Sequence, residues 1–282
     1  MHMKNWNLAD EELTKAVRAS FQGADSDRMQ LVFDSLVRHL HGFIRETEIT
    51  EEEWLAGIDF LTRAGHITDD KRQEFVLLSD ILGVSMLVIG MNNRKPTRAT
   101  ESTVFGPFFV PGSPRYENGD DLGKGAPGTP CIVRGLVSST AGHPLVGARV
   151  DVWQADEDGM YDVQYAHLSE PRGRGHLFTE RDGRFWFRTI RPEAYPIPTD
   201  GPAGDLLRAS GREAMRPAHI HFRIEARGFE TLITHVFAAG DPFLDSDAVF
   251  GVKRSLVAPF VESELDGETV AELDFEFVLV PS

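Results

Sequence analysis

The sequence changes texture at Asn92-Asn93-Arg94-Lys95-Pro96, and no other feature limits so strongly what the chain can fold into. Before that point apolar residues recur with the period of an α-helix. After it Gly and Pro become frequent and apolar residues alternate with polar ones, the period of a strand. In the first part, Asp10 opens a short helix carrying Leu13, Ala16, Val17 and Phe21 on one face, stopped by Gly23. Ser26 opens a second, in which Met29, Val32, Phe33, Leu36, Val37 and Leu40 share a face. Thr50 and Glu53 make a capping box ahead of Trp54, Leu55, Ile58 and Leu61. A fourth helix is expected over 68–90. Its later turns are apolar on nearly every side, so it needs burial in a core or against a partner.

The second part begins with a loop, Pro111 to Pro130, punctuated by glycines and prolines. Strands are expected at 131–137, 148–153, 183–190, 219–226, 231–238 and 273–280. Phe185 and Phe187 alternate with Arg184, Trp186 and Arg188, and Leu273, Phe275 and Phe277 alternate with Asp274 and Glu276. Short alternating strands between turn signals predict an antiparallel sandwich or barrel. The expected class is therefore α+β, with a helical domain over 1–95 and an antiparallel β-sandwich over 96–282.

Charge removes several classes of function. Lys and Arg total 29 against 44 Asp and Glu, a net charge of −15. Such a surface disfavours nucleic acid, whose binding rests on basic side chains displacing counterions, and anionic lipid headgroups. One cysteine, Cys131, excludes an internal disulfide framework. The opening Met-His-Met-Lys-Asn-Trp has no apolar signal core, and Phe75–Ile89, interrupted by Ser79, Asp80 and Ser85, is too short and polar to span a bilayer. The expected location is the cytoplasm, with no membrane and no nucleic-acid partner.

Two groups of residues offer chemistry. His219-Ile220-His221 places two imidazoles on one face of a strand, where they can share a metal ion. The same pattern fits two polar residues on a solvated face. A single cysteine cannot supply the remaining ligands, which disfavours structural zinc and iron–sulfur sites and leaves a two-His, one-carboxylate ferrous site open. There are four tyrosines. Tyr161 and Tyr165 follow the segment Asp151-Val152-Trp153-Gln154-Ala155-Asp156. Tyr195 sits in Arg191-Pro192-Glu193-Ala194-Tyr195-Pro196-Ile197-Pro198, a stiff extended stretch that presents its side chain in one direction. A tyrosine packed at a strand corner fits these contexts equally well.

Taken in order, these segments resemble the intradiol ring-cleavage dioxygenases, in the catechol 1,2-dioxygenase branch. The resemblance is carried by Gly106-Pro107-Phe108-Phe109, by Pro144-Leu145-Val146-Gly147-Ala148-Arg149-Val150 running on through Asp156, by Gly159-Met160-Tyr161, by Tyr195-Pro196-Ile197-Pro198 and by Arg216-Pro217-Ala218-His219-Ile220-His221-Phe222. It covers nearly the whole chain. It implies one Fe(III) per chain, held by Tyr161, Tyr195, His219 and His221, with Tyr165 the rival of Tyr161. In the family the axial tyrosinate, here Tyr195, leaves the metal and helps accept a proton, and Arg216 stabilises negative charge on the ring. His235 stands where family members commonly carry glutamine, and is not assigned as a ligand.

Within that branch, Asp80 and Val104-Phe105-Gly106-Pro107-Phe108-Phe109 look most like the hydroxyquinol 1,2-dioxygenases. The resemblance then implies aromatic catabolism: O2-dependent cleavage of hydroxyquinol to 3-hydroxy-cis,cis-muconate, with catechol or a chlorocatechol as alternative substrate. It places Leu77, Asp80, Val104, Phe105, Gly106, Ile197, Pro198, Arg216 and Val249 around the substrate. It also implies a homodimer through the leading helices, often with a phospholipid in an apolar tunnel. A transthyretin-like binding module is the competing class, since Pro144–Val150 alone fits a plain turn and strand.

Overall fold

The computed structural model describes residues 8–69, 72–166, 168–265 and 267–282. The opening hexapeptide and, within the fourth expected helix, Asp70 and Lys71 lie outside the described residues. The chain divides between Thr62 and Arg63 into two compact units, each described here by itself.

The first unit holds α1 (Asp10–Ser20), α2 (Asp27–Thr47) and most of α3 (Glu51–His66). Ser26 caps α2 by accepting from the Met29 amide at 3.2 Å. Thr50 and Glu53 satisfy each other's backbone as expected: the Glu53 carboxylate accepts from the Thr50 amide at 2.9 Å and the Thr50 hydroxyl from the Glu53 amide at 3.2 Å. Helices α1 and α2 are tied by a bidentate Arg18–Asp34 pair and by Phe21 stacked on Phe33, centroids 4.7 Å apart.

The second unit begins with α4 (Glu74–Ile81) and α5 (Val84–Asn92), where one continuous helix was expected. Gly83, at φ +70°, breaks it, and the two pieces meet at a bend of 77°. No single helix among the described residues is long and apolar enough to cross a membrane. Eleven strands follow: β1 (Pro130–Ser139), β2 (Arg149–Trp153), β3 (Arg174–Phe178), β4 (Arg184–Ile190), β5 (Tyr195–Pro196), β6 (Met215–Arg216), β7 (His219–Glu225), β8 (Leu232–Ala238), β9 (Val257–Ala258), β10 (Val261–Leu265) and β11 (Glu268–Leu279). A sixth helix, α6 (Pro202–Ala209), lies between β5 and β6.

Two sheets make the sandwich, one ordered β10-β11-β1-β4 and the other β3-β2-β7-β8-β9. The six expected strands are all present. Not anticipated were β3, β10, the two-residue strands β5, β6 and β9, and α6. Pairing is antiparallel except that β1 runs parallel to β11 and β8 to β9. Val133 and Val137 of β1, Phe185 and Phe187 of β4, Val150 of β2, and Ile220, Phe222 and Ile224 of β7 fill the space between the sheets. That orientation sends the intervening residues of β7, His219 and His221, to the outer face of the five-stranded sheet.

Candidate metal and substrate site

On that outer face three register partners stand side by side: Trp153 of β2, His221 of β7 and His235 of β8. The Trp153 indole stacks on the His221 ring at 4.7 Å and 17°, and His235 meets the same ring edge-on at 4.1 Å and 86°. His219, two residues back, hydrogen-bonds through Nδ1 to the Pro217 carbonyl oxygen at 2.7 Å. This leaves His219 Nε2 directed at the site, 3.2 Å from His221 Nε2.

The tyrosines arrive from loops. Tyr161 ends the turn after β2, held by its amide donating to the Gln164 side chain at 2.8 Å and by the neighbouring Asp162 locked on buried Arg174. Gly159 in this turn has φ +74°, and a Cβ there would fall 2.6 Å from Tyr195 Cβ, so only glycine permits the two loops to meet. Tyr195 lies in β5, opposite Arg216 of β6. The Tyr161 hydroxyl is 2.9 Å from His221 Nε2 and 3.1 Å from the Tyr195 hydroxyl. Phe108 stacks on Tyr161 at 4.4 Å. Tyr165, the rival, turns away and donates to Asp156 at 2.8 Å.

All four donors are buried, and so is Arg216. Burial, and then the neighbouring Tyr195, pushes the Tyr161 phenol well above its ordinary pKa. Burial holds His219, His221 and His235 well below theirs, so the imidazoles are neutral, the form that binds metal. Burial works against the Arg216 charge, but Asp247 and the two tyrosines outweigh it and raise its pKa. Arg216 Nε donates to Asp247 at 3.2 Å, and Nη1 lies 3.1 Å from His219 Nε2. Two phenols and two neutral imidazoles, linked His219–His221–Tyr161–Tyr195 by contacts of 3.2, 2.9 and 3.1 Å, are a fitting donor set for a hard, oxidised metal ion. His219, His221 and His235 also form the one cluster of His, Cys, Asp and Glu able to hold a metal among the described residues.

Beside these donors is an apolar wall. Val104, Ile197 and Val249 belong to one buried cluster, with Leu77 packed against it. Phe105 packs with Trp153, Tyr161 and Tyr195, and Gly106 lies against the edge of the His221 ring. Leu77, Phe108, Gln164 and Pro198 line a cavity of about 190 Å³. Asp80 is only 5% exposed and makes no ion pair among the described residues. Burial raises its carboxyl pKa, while Ser85 and the Arg216 charge work the other way. The sequence reading missed Asp247. Its carboxylate holds Arg216 and accepts from the Val249 and Gly251 amides at 3.3 and 2.8 Å. No periodicity marks such a residue, because its role is to close a turn.

A family model described as Dioxygenase matches residues 104–281, and one described as Catechol dioxygenase N terminus matches residues 26–100. The chain belongs to the intradiol ring-cleavage dioxygenases. The family implies a non-haem iron and acts on aromatic diols with O2. This membership sets aside the non-enzymatic binding module. The dioxygenase is 56% identical over 270 residues to the 6-chlorohydroxyquinol 1,2-dioxygenase of Cupriavidus pinatubonensis, covering 96% of this chain and 97% of the relative. It is 49% identical to the hydroxyquinol 1,2-dioxygenase of Nocardioides simplex, covering 97% and 96%. Among solved structures, hydroxyquinol 1,2-dioxygenase from Pseudomonas putida DLL-E4 superposes with a TM-score of 0.92 at 44% identity, over 97% of this chain and 99% of that one.

Proposed function

We propose that this dioxygenase cleaves hydroxyquinol between its adjacent hydroxylated carbons, both atoms of O2 entering the product, 3-hydroxy-cis,cis-muconate, the enol form of maleylacetate. The buried carboxylate of Asp80, which has the Ser85 hydroxyl beside it but no ion-pair partner among the described residues, carries this choice of substrate. A carboxylate is costly to bury with one hydroxyl as its donor, and a third ring hydroxyl supplies a second. The names of the relatives support the same reading, and the chlorinated one makes 6-chlorohydroxyquinol a substrate to assay alongside.

In this reading Tyr161, Tyr195, His219 and His221 hold one Fe(III) per chain. Ferric iron, when bound, favours a doubly deprotonated diol and draws electron density from the ring, which opens a ring carbon to O2. The chain does the rest. The Tyr195 Oη takes up a proton from a diol hydroxyl. Arg216, fixed by Asp247, offers its free Nη2 to negative charge developing on the ring. Leu77, Val104, Phe105, Gly106, Ile197, Pro198 and Val249 exclude water and hold the ring flat. Asp80 accepts from the third hydroxyl.

The functional division is placed at 95/96, with residues 1–95 serving assembly, apart from Leu77 and Asp80 which reach the substrate, and 96–282 catalysis. A homodimer through the leading helices is supported by apolar side chains that the chain leaves exposed, among them Leu36, Leu40 and Phe43 of α2 and Leu87, Val88 and Met91 of α5. A phospholipid bound in the same region belongs to this reading, as does a cytoplasmic location. Sedimentation as a monomer at micromolar concentration would refute the dimer, and mass spectrometry of a solvent extract tests the lipid. Oxygen uptake by iron-replete protein on hydroxyquinol, catechol and chlorocatechols tests the reaction. Hydroxyquinol is expected to give the highest kcat/KM. A preference for catechol overturns the substrate, and a colourless protein that consumes no oxygen overturns the reaction.

A further inference from the structure

The two histidines of β7 are anchored differently. His219 gives the hydrogen on its Nδ1 to the Pro217 carbonyl, so its Nε2 is left as the acceptor, facing the site. His221 has no such anchor: its Nδ1 is buried and has no partner. It lies in mid-strand, paired on one side with Trp153 and on the other with His235, where backbone carbonyls serve the ladder. The flat indole of Trp153 covers one face of its ring and offers no acceptor. His219 packs on the ring too, but meets it at Nε2 and has its Nδ1 committed to Pro217; the other nitrogen-bearing ring is His235, edge-on at 4.1 Å, fully buried, with neither of its own nitrogens partnered. Two adjacent buried rings with three unpartnered nitrogens between them are each other's natural complement.

We propose that His235 is a positioning residue for His221: one of its nitrogens accepts the hydrogen on His221 Nδ1, directly or across one water, and so keeps His221 Nε2 turned to the metal. The inference rests on the reading of His221 as an iron ligand. A metal-bound imidazole is oriented by whatever accepts its second N–H. In this chain a backbone carbonyl does that for one ligand and a neighbouring side chain for the other. His221 is therefore the ligand whose anchor a single substitution can remove.

The test compares wild type, His235→Gln and His235→Leu as iron-loaded proteins. Glutamine keeps a carbonyl acceptor, and leucine keeps only bulk. Iron loss to excess chelator is expected to be about ten- to a hundredfold faster in His235→Leu, the range for removing such a partner. His235→Gln is expected to stay close to wild type in both iron retention and the visible tyrosinate band. Equal iron retention in all three proteins overturns the proposal. So does His235→Gln failing as badly as His235→Leu while both unfold at the wild-type temperature. If His235→Leu does not fold, wild type alone decides. In the gallium(III)-loaded chain, proton–nitrogen NMR should find a downfield, slowly exchanging proton on His221 Nδ1, and a fast-exchanging one refutes the role. A wild-type chain that binds no iron removes the ligand assignment itself, a result distinct from any difference between the variants.

Discussion

Ile220, Phe222 and Ile224 of β7 face inward, and His219 and His221 face outward, so one strand builds two kinds of buried surface. The inward side is complete in itself. Its side chains touch other apolar side chains, leave no polar atom behind and take their stability from removal from water. The outward side is buried just as deeply but is not complete. Its phenols and imidazoles have chiefly one another as partners, and burial drives the Tyr161 pKa up and the histidine pKa values down. Both directions have the same cause: burial disfavours the charged form of each group and holds the donors neutral. The comparison teaches that burial alone does not mark a core. What distinguishes the site is buried polarity that the protein does not satisfy by itself.

Substitutions on the two faces should therefore separate metal binding from folding. The largest effect is expected from Tyr161→Phe or Tyr195→Phe, which removes one of four donors: the visible band should shift or vanish and turnover should cease, with little change in the unfolding of the iron-free protein. If both variants keep full iron and an unchanged spectrum, the outward face is not the metal site. Phe222→Ala, on the inward face, should do the reverse. It should cost about 3–5 kcal/mol of stability, read by denaturant unfolding, with the band in place below the transition. A band displaced as far as in the tyrosine variants would show the faces to be inseparable.

Smaller changes sharpen the outward face. Arg216→Gln should retain iron and lower kcat about 10²–10³-fold, the size of losing one preorganised donor to developing charge. An undiminished kcat would reduce Arg216 to a partner of Asp247. Asp80→Ala should lower kcat/KM for hydroxyquinol relative to catechol by about ten- to a hundredfold, from a charge-assisted hydrogen bond of about 1.5–3 kcal/mol. Equal loss on both diols would make Asp80 structural. The smallest effect is on stability against pH. Because burial raises the Asp80 pKa in the folded chain, ionising it opposes folding. Asp80→Asn should match wild type below the ordinary carboxylate pKa and gain on it as the pH rises through the raised one. A gap that widens toward acid would contradict the sign.

Much of this could be read from the residues. Alternation gave the strands, and on β7 it also gave the two faces, because a period of two fixes which side chains are neighbours. The resemblance favoured Tyr161, in Gly159-Met160-Tyr161, over Tyr165, and it is the Tyr161 hydroxyl that lies beside His221. The bend at Gly83 was hidden because the apolar run continues through it, and helical periodicity does not register a single left-handed residue. The parallel pairing of β1 with β11 was equally hidden, since alternation says which face is buried and nothing about which distant strand lies alongside. Asp247 and the contact between His221 and His235 depend on loops and register partners far apart in the chain, and no local signal announces them.

The pairing of β1 with β11 also bears on the order in which the protein can assemble. Cys131 faces Ala271 and Ser139 faces Leu279, so β1 emerges from synthesis long before its partner. All five strands of the sheet that carries His219 and His221 come from segments earlier than β11. Its apolar side, however, is covered by the sheet that β11 holds together. Until β11 is made, β1 has antiparallel β4 alone beside it and the inward face of β7 stays wet. Contacts so distant in sequence form slowly and leave sticky surface exposed while they do. If His219 and His221 hold the iron as proposed, iron that arrives early meets them on a half-covered sheet, and the rate at which newly made chains become coloured should follow closure of β11 onto β1 rather than the supply of metal.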